Sequence, residues 1–275
     1  MADPSACKWL TELLPRVTAL ACESGRTILA IYQDLNPHVE YKLDHSPVTQ
    51  ADLVSHHILQ TGLARLEPHR PVLSEESVEV PFDERKSWRH FWMIDPLDGT
   101  KEFLHRTGEF TVNIALIEDG RPILGVVYAP VVDKLYFAAR GAGSYRTDGK
   151  VTTTIKVAPA TTGSTRFVVS RCHASEQETL AHFIDQTKGR ELIVMGSSLK
   201  FCLVAEGAAD VYPRNGPTME WDTAAAQCIL EEAGGSVTDL EGNTIRYNKQ
   251  VLLNSGFVAR AHSSVVPAGL FNGAC

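Results

Sequence analysis

Leu10, Leu13, Leu14, Val17, Ala21 and Ile28, with Ser24 among them, recur on one face at helical spacing. The pattern predicts an opening amphipathic helix with Pro15 near its start. A second helix is expected to open at Thr49-Gln50-Ala51-Asp52, with Leu59, Leu63 and Leu66 on its apolar side. The pattern then changes to β-rich runs at 91–94, 110–117, 123–129 and 135–138. Asp119-Gly120 and Pro130 supply turns between them. The apolar pair Val72-Leu73 reads as a further strand end, placing Glu75 at a sheet edge.

Beyond about residue 155 the rhythm alternates. Residues 166–170, 192–195 and 209–212 read as strands, and 176–186, 198–206 and 221–233 as helices. Gly234-Gly235 closes the last helix. The expected division is an α+β half over 1–155 and an α/β half over 156–275. No internal repeat or low-complexity segment interrupts either half.

Composition narrows the class. With 275 residues, 44% hydrophobic and 21% charged, the chain can bury a large core. A net charge of −7 without a long basic run disfavours a nucleic acid polymer as partner. A small anionic substrate then needs a site made locally positive by metal ions or a few basic residues. Six cysteines at 7, 22, 172, 202, 228 and 275 form no C-x-x-C pair. They suggest neither a zinc ribbon nor a disulfide framework, but reduced thiols in a cytosolic protein. The first ten residues lack a signal-peptide pattern, and no apolar run reaches the roughly 18 residues of a membrane span.

The chemistry concentrates at Ile94-Asp95-Pro96-Leu97-Asp98-Gly99-Thr100. Asp95 and Asp98 flank Pro96, which fixes φ and is expected to break the strand. Gly99 permits a strained turn. Two carboxylates on one stiff turn can face a common cation, and oxygen ligands suit Mg²⁺. The amides of Gly99 and Thr100 are expected to open a short helix, a start that favours phosphate. D-x-x-D alone also fits an acidic surface loop, since Asp-Pro and Asp-Gly are common turn formers; the full run is more specific. Glu75 in Ser74-Glu75-Glu76-Ser77 reads alone as a solvated acid. Asp52 and Asp222, each at a helix start, read alone as caps. The neighbours His56-His57 point apart on a helix and make a poor metal pair. Gly141-Ala142-Gly143-Ser144 reads as a turn, and Phe91, Phe110 and Phe137 as core.

Taken together, SPVTQAD at 46–52, SEES at 74–77, IDPLDGTKEF at 94–103 and WDTAAAQCILEEAGG at 221–235 resemble the inositol monophosphatase superfamily. The resemblance runs over nearly the whole chain, in order. It implies an α+β fold, a layered αβαβα sandwich, and Mg²⁺-dependent, lithium-sensitive phosphatase chemistry with two or three ions. GEFTVNIALIEDGRPILGVVYAP at 108–130, SRCH at 170–173, GSSLKFCLVAEGAADVYPR at 196–214 and GPT at 216–218 resemble the bacterial 3'(2'),5'-bisphosphate nucleotidases of sulfate assimilation. These remove the 3'-phosphate of 3'-phosphoadenosine 5'-phosphate; the sulfated nucleotide is a further substrate to consider.

The resemblance implies roles for particular residues. Glu75, Asp95, Asp98 and Asp222 match metal-binding carboxylates, Glu75 also serving catalysis, and Leu97 matches a ligand acting through its carbonyl. Thr100 matches the residue that orients the attacking water, and Asp52 the acid paired with it. Glu75, Leu97, Asp98, Gly99, Thr100 and Asp222 border the substrate, and His173, Ser197, Lys200 and Arg214 match nucleotide contacts. An inositol or sugar-phosphate phosphatase, or a non-catalytic nucleotide-binding protein, are the rival readings. Resemblance to bacterial relatives also raises peripheral attachment to the cytoplasmic face of the inner membrane, which no segment shows. Residues 261–275 match no family motif, and the oligomeric state is open.

Overall fold

A computed structural model of the chain describes residues 4–34, 39–41, 47–77, 79–160, 164–170 and 190–262. Helix α1 (Pro4–Tyr32) buries Leu10, Leu13, Leu14, Val17, Ala21 and Ile28, as the spacing predicts. Pro15 lies inside this helix and not near its start. Its ring removes one backbone hydrogen bond, yet the apolar face runs through it and holds the helix against the sheet. Strands β1 (Val39–Tyr41) and β2 (Pro47–Thr49) form an antiparallel pair. Helix α2 (Gln50–Leu66) starts where its cap sequence places it, with Leu59 and Leu63 fully buried.

A seven-stranded sheet follows, in the order β3-β4-β5-β6-β7-β8-β9. Its members are β3 (Val72–Ser74), then, after the short helix α3 (Phe82–Arg85), β4 (His90–Asp98). Helix α4 (Thr100–Leu104) leads to β5 (Thr111–Glu118), β6 (Arg121–Ala129), β7 (Lys134–Ala139), β8 (Gly143–Asp148) and β9 (Val151–Ile155). Only the β3–β4 pair is parallel. Strand β3 forms the sheet edge expected of residues 72–73. Strand β4 shows the two-residue period of a strand buried on both sides. Trp92 and Ile94 pack with α1 and α2, while Phe91 and Met93 face the opposite layer.

Two expectations for this half need correction. Strand β4 does not stop at Pro96 but continues to Asp98. Asp95 faces Asn113 and Asp98 faces Thr111, so the register shifts between them. The extra residue makes a bulge, a place where proline costs no ladder bond. Phe91 and Phe110 are fully buried, but Phe137 is only partly so. Strands β8 and β9 were not predicted; their exposed polar positions, such as Thr152 and Thr153, carry no apolar alternation.

The second sheet has five strands in the order β11-β10-β12-β16-β14. Chain order gives β10 (Thr165–Val169), β11 (Arg190–Val194), α5 (Leu199–Ala205), β12 (Val211–Arg214), β13 (Thr218–Met219) and α6 (Glu220–Glu232). Strands β14 (Ser236–Asp239), β15 (Leu253–Asn254) and β16 (Phe257–Arg260) complete the fold, with β13 and β15 paired separately. β10 runs parallel to β11 and β12, whereas β16 runs antiparallel to β12 and β14. The sheet is therefore mixed, and its two closing strands are too short to show a period. Gly234, at φ +99°, ends α6 as its position predicts. The helix predicted at 176–186 lies outside the described residues.

Helices α5 and α6 lie between the two sheets. One core cluster joins Phe91, Met93 and Tyr136 to Phe201, Ile229 and Phe257. A second cluster packs α1 and α2 on the other face of the first sheet. Among the described residues the layers are thus helix, sheet, helix, sheet, and the α+β class expected from the sequence is the class observed. Gly125 on β6 allows the closest approach in this stack: a Cβ there would collide with the main-chain carbonyl of Ala225 on α6.

Candidate active site

Three carboxylates converge where β3, β4 and α6 meet. Glu75 follows the last residue of β3, and its N–H donates to Ile94 O at 3.3 Å, extending the β3–β4 pairing. Asp95 sits at the β4 bulge and is almost wholly buried. Asp222 is the third residue of α6, where its Oδ2 accepts the Met219 N–H at 2.8 Å. Each of the three offers an oxygen within 4.8 Å of the others. Burial, then Glu75 and Asp98, hold the Asp95 carboxyl well above the usual carboxylate range. Burial, then Asp98 and Glu75, do the same to Asp222. Such a group is electrostatically incomplete without a counter-charge. Its donors are all oxygen, with no imidazole or thiolate among them, which fits a hard divalent cation and not zinc.

Asp98 ends β4 but stands outside this tight group. Its Oδ2 is held by Ser198 and Asn113. Leu97 is buried, and its carbonyl lies 3.5 Å from Thr100 Oγ1. Gly99 takes a left-handed turn at φ +97° and leads into α4, the short helix expected there.

Asp52 serves two purposes at once. Its Oδ2 accepts the Thr49 N–H at 2.8 Å and the Thr49 hydroxyl at 2.6 Å, closing the α2 capping box. Its Oδ1 accepts the Thr100 hydroxyl at 3.2 Å. Burial raises its pKa above the usual value, against the opposing effect of those hydrogen bonds. The plain cap reading and the pairing with Thr100 are both present. A second chain of contacts ties this region to the helices: Ser24 meets Ser55 at 2.6 Å, and Ser55 donates to Pro96 O at 2.7 Å.

Beside the carboxylates lies a cavity of about 680 Å³, bordered by Asp98, Gly99, Ser197, Lys200, Arg214 and Asp222. Phe201, Tyr212 and Phe257, which also line it, form a packed aromatic trio. Lys200 is buried; its Nζ donates to Ser197 O at 2.7 Å and sits 5.2 Å from the Tyr212 ring centre. Burial lowers its pKa to about 8, opposed by Asp98. Arg214 donates to Ser170 Oγ at 2.8 Å and to Pro217 O at 3.3 Å. His173 lies outside the described residues.

The structure therefore brings Asp52, Glu75, Asp95, Leu97, Asp98, Gly99, Thr100 and Asp222 into one neighbourhood. Of these, Asp98, Gly99 and Asp222 line the cavity, together with Ser197, Lys200 and Arg214. Sequence reasoning missed Asn113, Ser198 and the aromatic trio. The one available signal was Asn113, a polar residue inside the apolar run of β5. The other marked features are structural. His56 Nδ1 bonds Ser74 Oγ at 2.9 Å. The Gly141 and Gly143 N–H groups are taken by the Glu232 carboxylate, at 3.0 and 3.1 Å. Among the described residues no helix is long and apolar enough to cross a membrane.

An all-oxygen cluster at strand ends and a helix start, beside a cavity lined by charged and aromatic side chains, defines a divalent-metal enzyme of the layered α+β kind. The Inositol monophosphatase family model matches residues 9–270, and the chain belongs to that family. It is 46% identical to the 3'(2'),5'-bisphosphate nucleotidase CysQ of Salmonella typhimurium, over 89% of this chain and 98% of that protein. Identity to the Escherichia coli protein of the same name is 45%, with the same coverage. The crystal structure of CysQ from Bacteroides thetaiotaomicron superposes with a TM-score of 0.79 at 39% identity, covering 90% of this chain and 96% of that one.

Proposed function

We propose that this protein is a 3'(2'),5'-bisphosphate nucleotidase that hydrolyses the 3'-phosphate of 3'-phosphoadenosine 5'-phosphate to AMP and phosphate. The observation that carries the reading is one juxtaposition. The Glu75–Asp95–Asp222 cluster shares Asp222 with the lining of a cavity whose wall carries Asp98, Lys200 and Arg214. One end suits a cation and a scissile phosphate; the cationic wall and aromatic floor suit the rest of a charged nucleotide. The nucleotidase names borne by relatives at 45–46% identity support the same substrate class.

Glu75, Asp95, Asp98, Asp222 and the Leu97 carbonyl are the groups proposed to hold two or three Mg²⁺. When bound, such ions supply Lewis-acid charge and lower the pKa of water. The chain's own residues do the rest. Thr100, with its hydroxyl proton given to Asp52, keeps lone pairs that accept a hydrogen bond from the attacking water. As Thr100 takes a proton from the water it passes its own to Asp52, which burial makes a stronger base than an exposed aspartate. Gly99 takes the left-handed turn and lets Glu109 and Phe110 pack close beside it, which sets the start of α4 at the cavity wall. Ser197, Lys200, Arg214 and His173 are proposed to contact the nucleotide.

The test compares phosphate release from 3'-phosphoadenosine 5'-phosphate and from inositol 1-phosphate, with Mg²⁺ and with added lithium. The expected outcome is a clear preference for the nucleotide, with lithium competing against Mg²⁺. Preference for the inositol ester would overturn the substrate assignment, and no release from any phosphate ester would overturn the enzyme reading.

A further inference from the structure

Asp98 Oδ2 faces a buried polar pocket built from two distant parts of the chain. Strand β5 contributes Thr111 and Asn113, and the entrance to α5 contributes Ser198; all three are buried. The Ser198 N–H reaches Oδ2 at 2.6 Å, its hydroxyl at 2.6 Å, and the Asn113 amide at 3.2 Å. Thr111 Oγ1 lies 3.4 Å away.

Donor counting fixes who gives what. The Asn113 carbonyl oxygen accepts from Thr111 Oγ1 at 3.0 Å. This orients the amide, because a flipped amide would turn its oxygen toward the Asp98 carboxylate. Its two N–H groups then go to Ser198 Oγ at 2.8 Å and to Asp98 Oδ2. The Ser198 hydroxyl has one proton and two acceptors, Asp98 Oδ2 and, at 2.7 Å, the main-chain oxygen of Asp222. It thus lies between the side chain of one candidate ligand and the backbone of another. The backbone and amide donors occupy Oδ2 whichever way that proton points.

We infer that Ser198 and Asn113 are positioning residues for the metal centre. They occupy Oδ2 of Asp98, which leaves Oδ1 as the oxygen they do not hold, and they couple Asp98 to the start of α6 and Asp222. The inference rests on the reading of Asp98 and Asp222 as ligands. Groups in this position act by orienting the ligands rather than by touching substrate.

The experiment titrates chelator-stripped full-length protein with Mn²⁺, followed by electron paramagnetic resonance. Ser198→Ala is expected to weaken at least one Mn²⁺ site by about 10- to 100-fold. At saturating metal, its KM for the nucleotide should stay close to that of the wild type. The double variant with Asn113→Ala should be little worse than the poorer single one. Ser198→Cys replaces the hydroxyl by a larger thiol that is a much weaker donor, and serves if the alanine variant fails to fold. Wild-type Mn²⁺ binding in either Ser198 variant overturns the inference. A wild-type protein that binds no Mn²⁺ overturns instead the ligand reading beneath it.

Discussion

At the scale of single residues, the site rests on side chains whose two oxygens have different partners. Asp52 gives one oxygen to the α2 cap and the other to Thr100. Asp52→Asn keeps the shape but removes the base. We expect kcat to fall by about 10²- to 10⁴-fold with metal affinity unchanged, measured by steady-state kinetics beside Mn²⁺ titration. Equal loss of metal binding would show that the cap, and not the proton, matters. Lys200 offers a pH test. It is enclosed by Asp98, Glu102, Asp222 and Arg214, and its pKa of about 8 means it is charged below that pH and neutral above it. If its charge serves a substrate phosphate, KM rises as pH passes through the Lys200 pKa, which cations on Asp98 and Asp222 would hold below that of the metal-free protein. Lys200→Met should raise KM at neutral pH and flatten that limb; an unchanged limb would assign it to another group.

At the scale of elements, the β4 bulge and the N-terminus of α6 do the placing. Gly125→Ala pushes β6 against the α6 backbone, which cannot yield as a side-chain tip would. Overpacking of this kind costs about 1–3 kcal/mol, readable as a lower midpoint in urea; no change would mean the two layers are free to part. The elements legible in the sequence were those with a period or a cap. These include α1, α2 with its Thr49–Asp52 box, the apolar strands β4 to β7, and α6 with its glycine stop. What was not legible has a physical reason in each case. Pro96 reads as a strand breaker unless the bulge that accommodates it is known, and a bulge is a property of two strands. Strands β14 and β16 are four residues each, too short for alternation to stand out. At the site, Asp95 and Asp98 shared a local cue, one stiff turn, but Glu75 and Asp222 were joined to them only by family resemblance. Ser198 and Asn113 stayed hidden because they reach the Asp98 carboxylate from 100 and 15 residues away.

At the scale of the whole molecule, the centre draws carboxylates from β3–β4 and from α6, with the middle helical layer between the two sheets. Buried carboxylates that repel one another in the folded state make the metal-free protein less stable than it would be with the charge balanced. A cation that binds only the folded form adds stability by mass action, about 2.7 kcal/mol at one hundred times its Kd. Thermal denaturation should therefore show a midpoint rising with Mg²⁺ and falling with chelator; a midpoint indifferent to both would exclude a cation from the cluster. The contact between Gly125 and Ala225 has a wider consequence. Where Gly125 meets α6, the nearest groups are the Ala225 carbonyl and the Cys228 β-carbon, so atoms fixed by the main chain act as the ruler between the first sheet and the helix that carries Asp222. Rotamer changes elsewhere in the core can loosen the protein without resetting that distance. The lineage is then free to exchange core side chains, and the spacing of the two layers is inherited with the backbone.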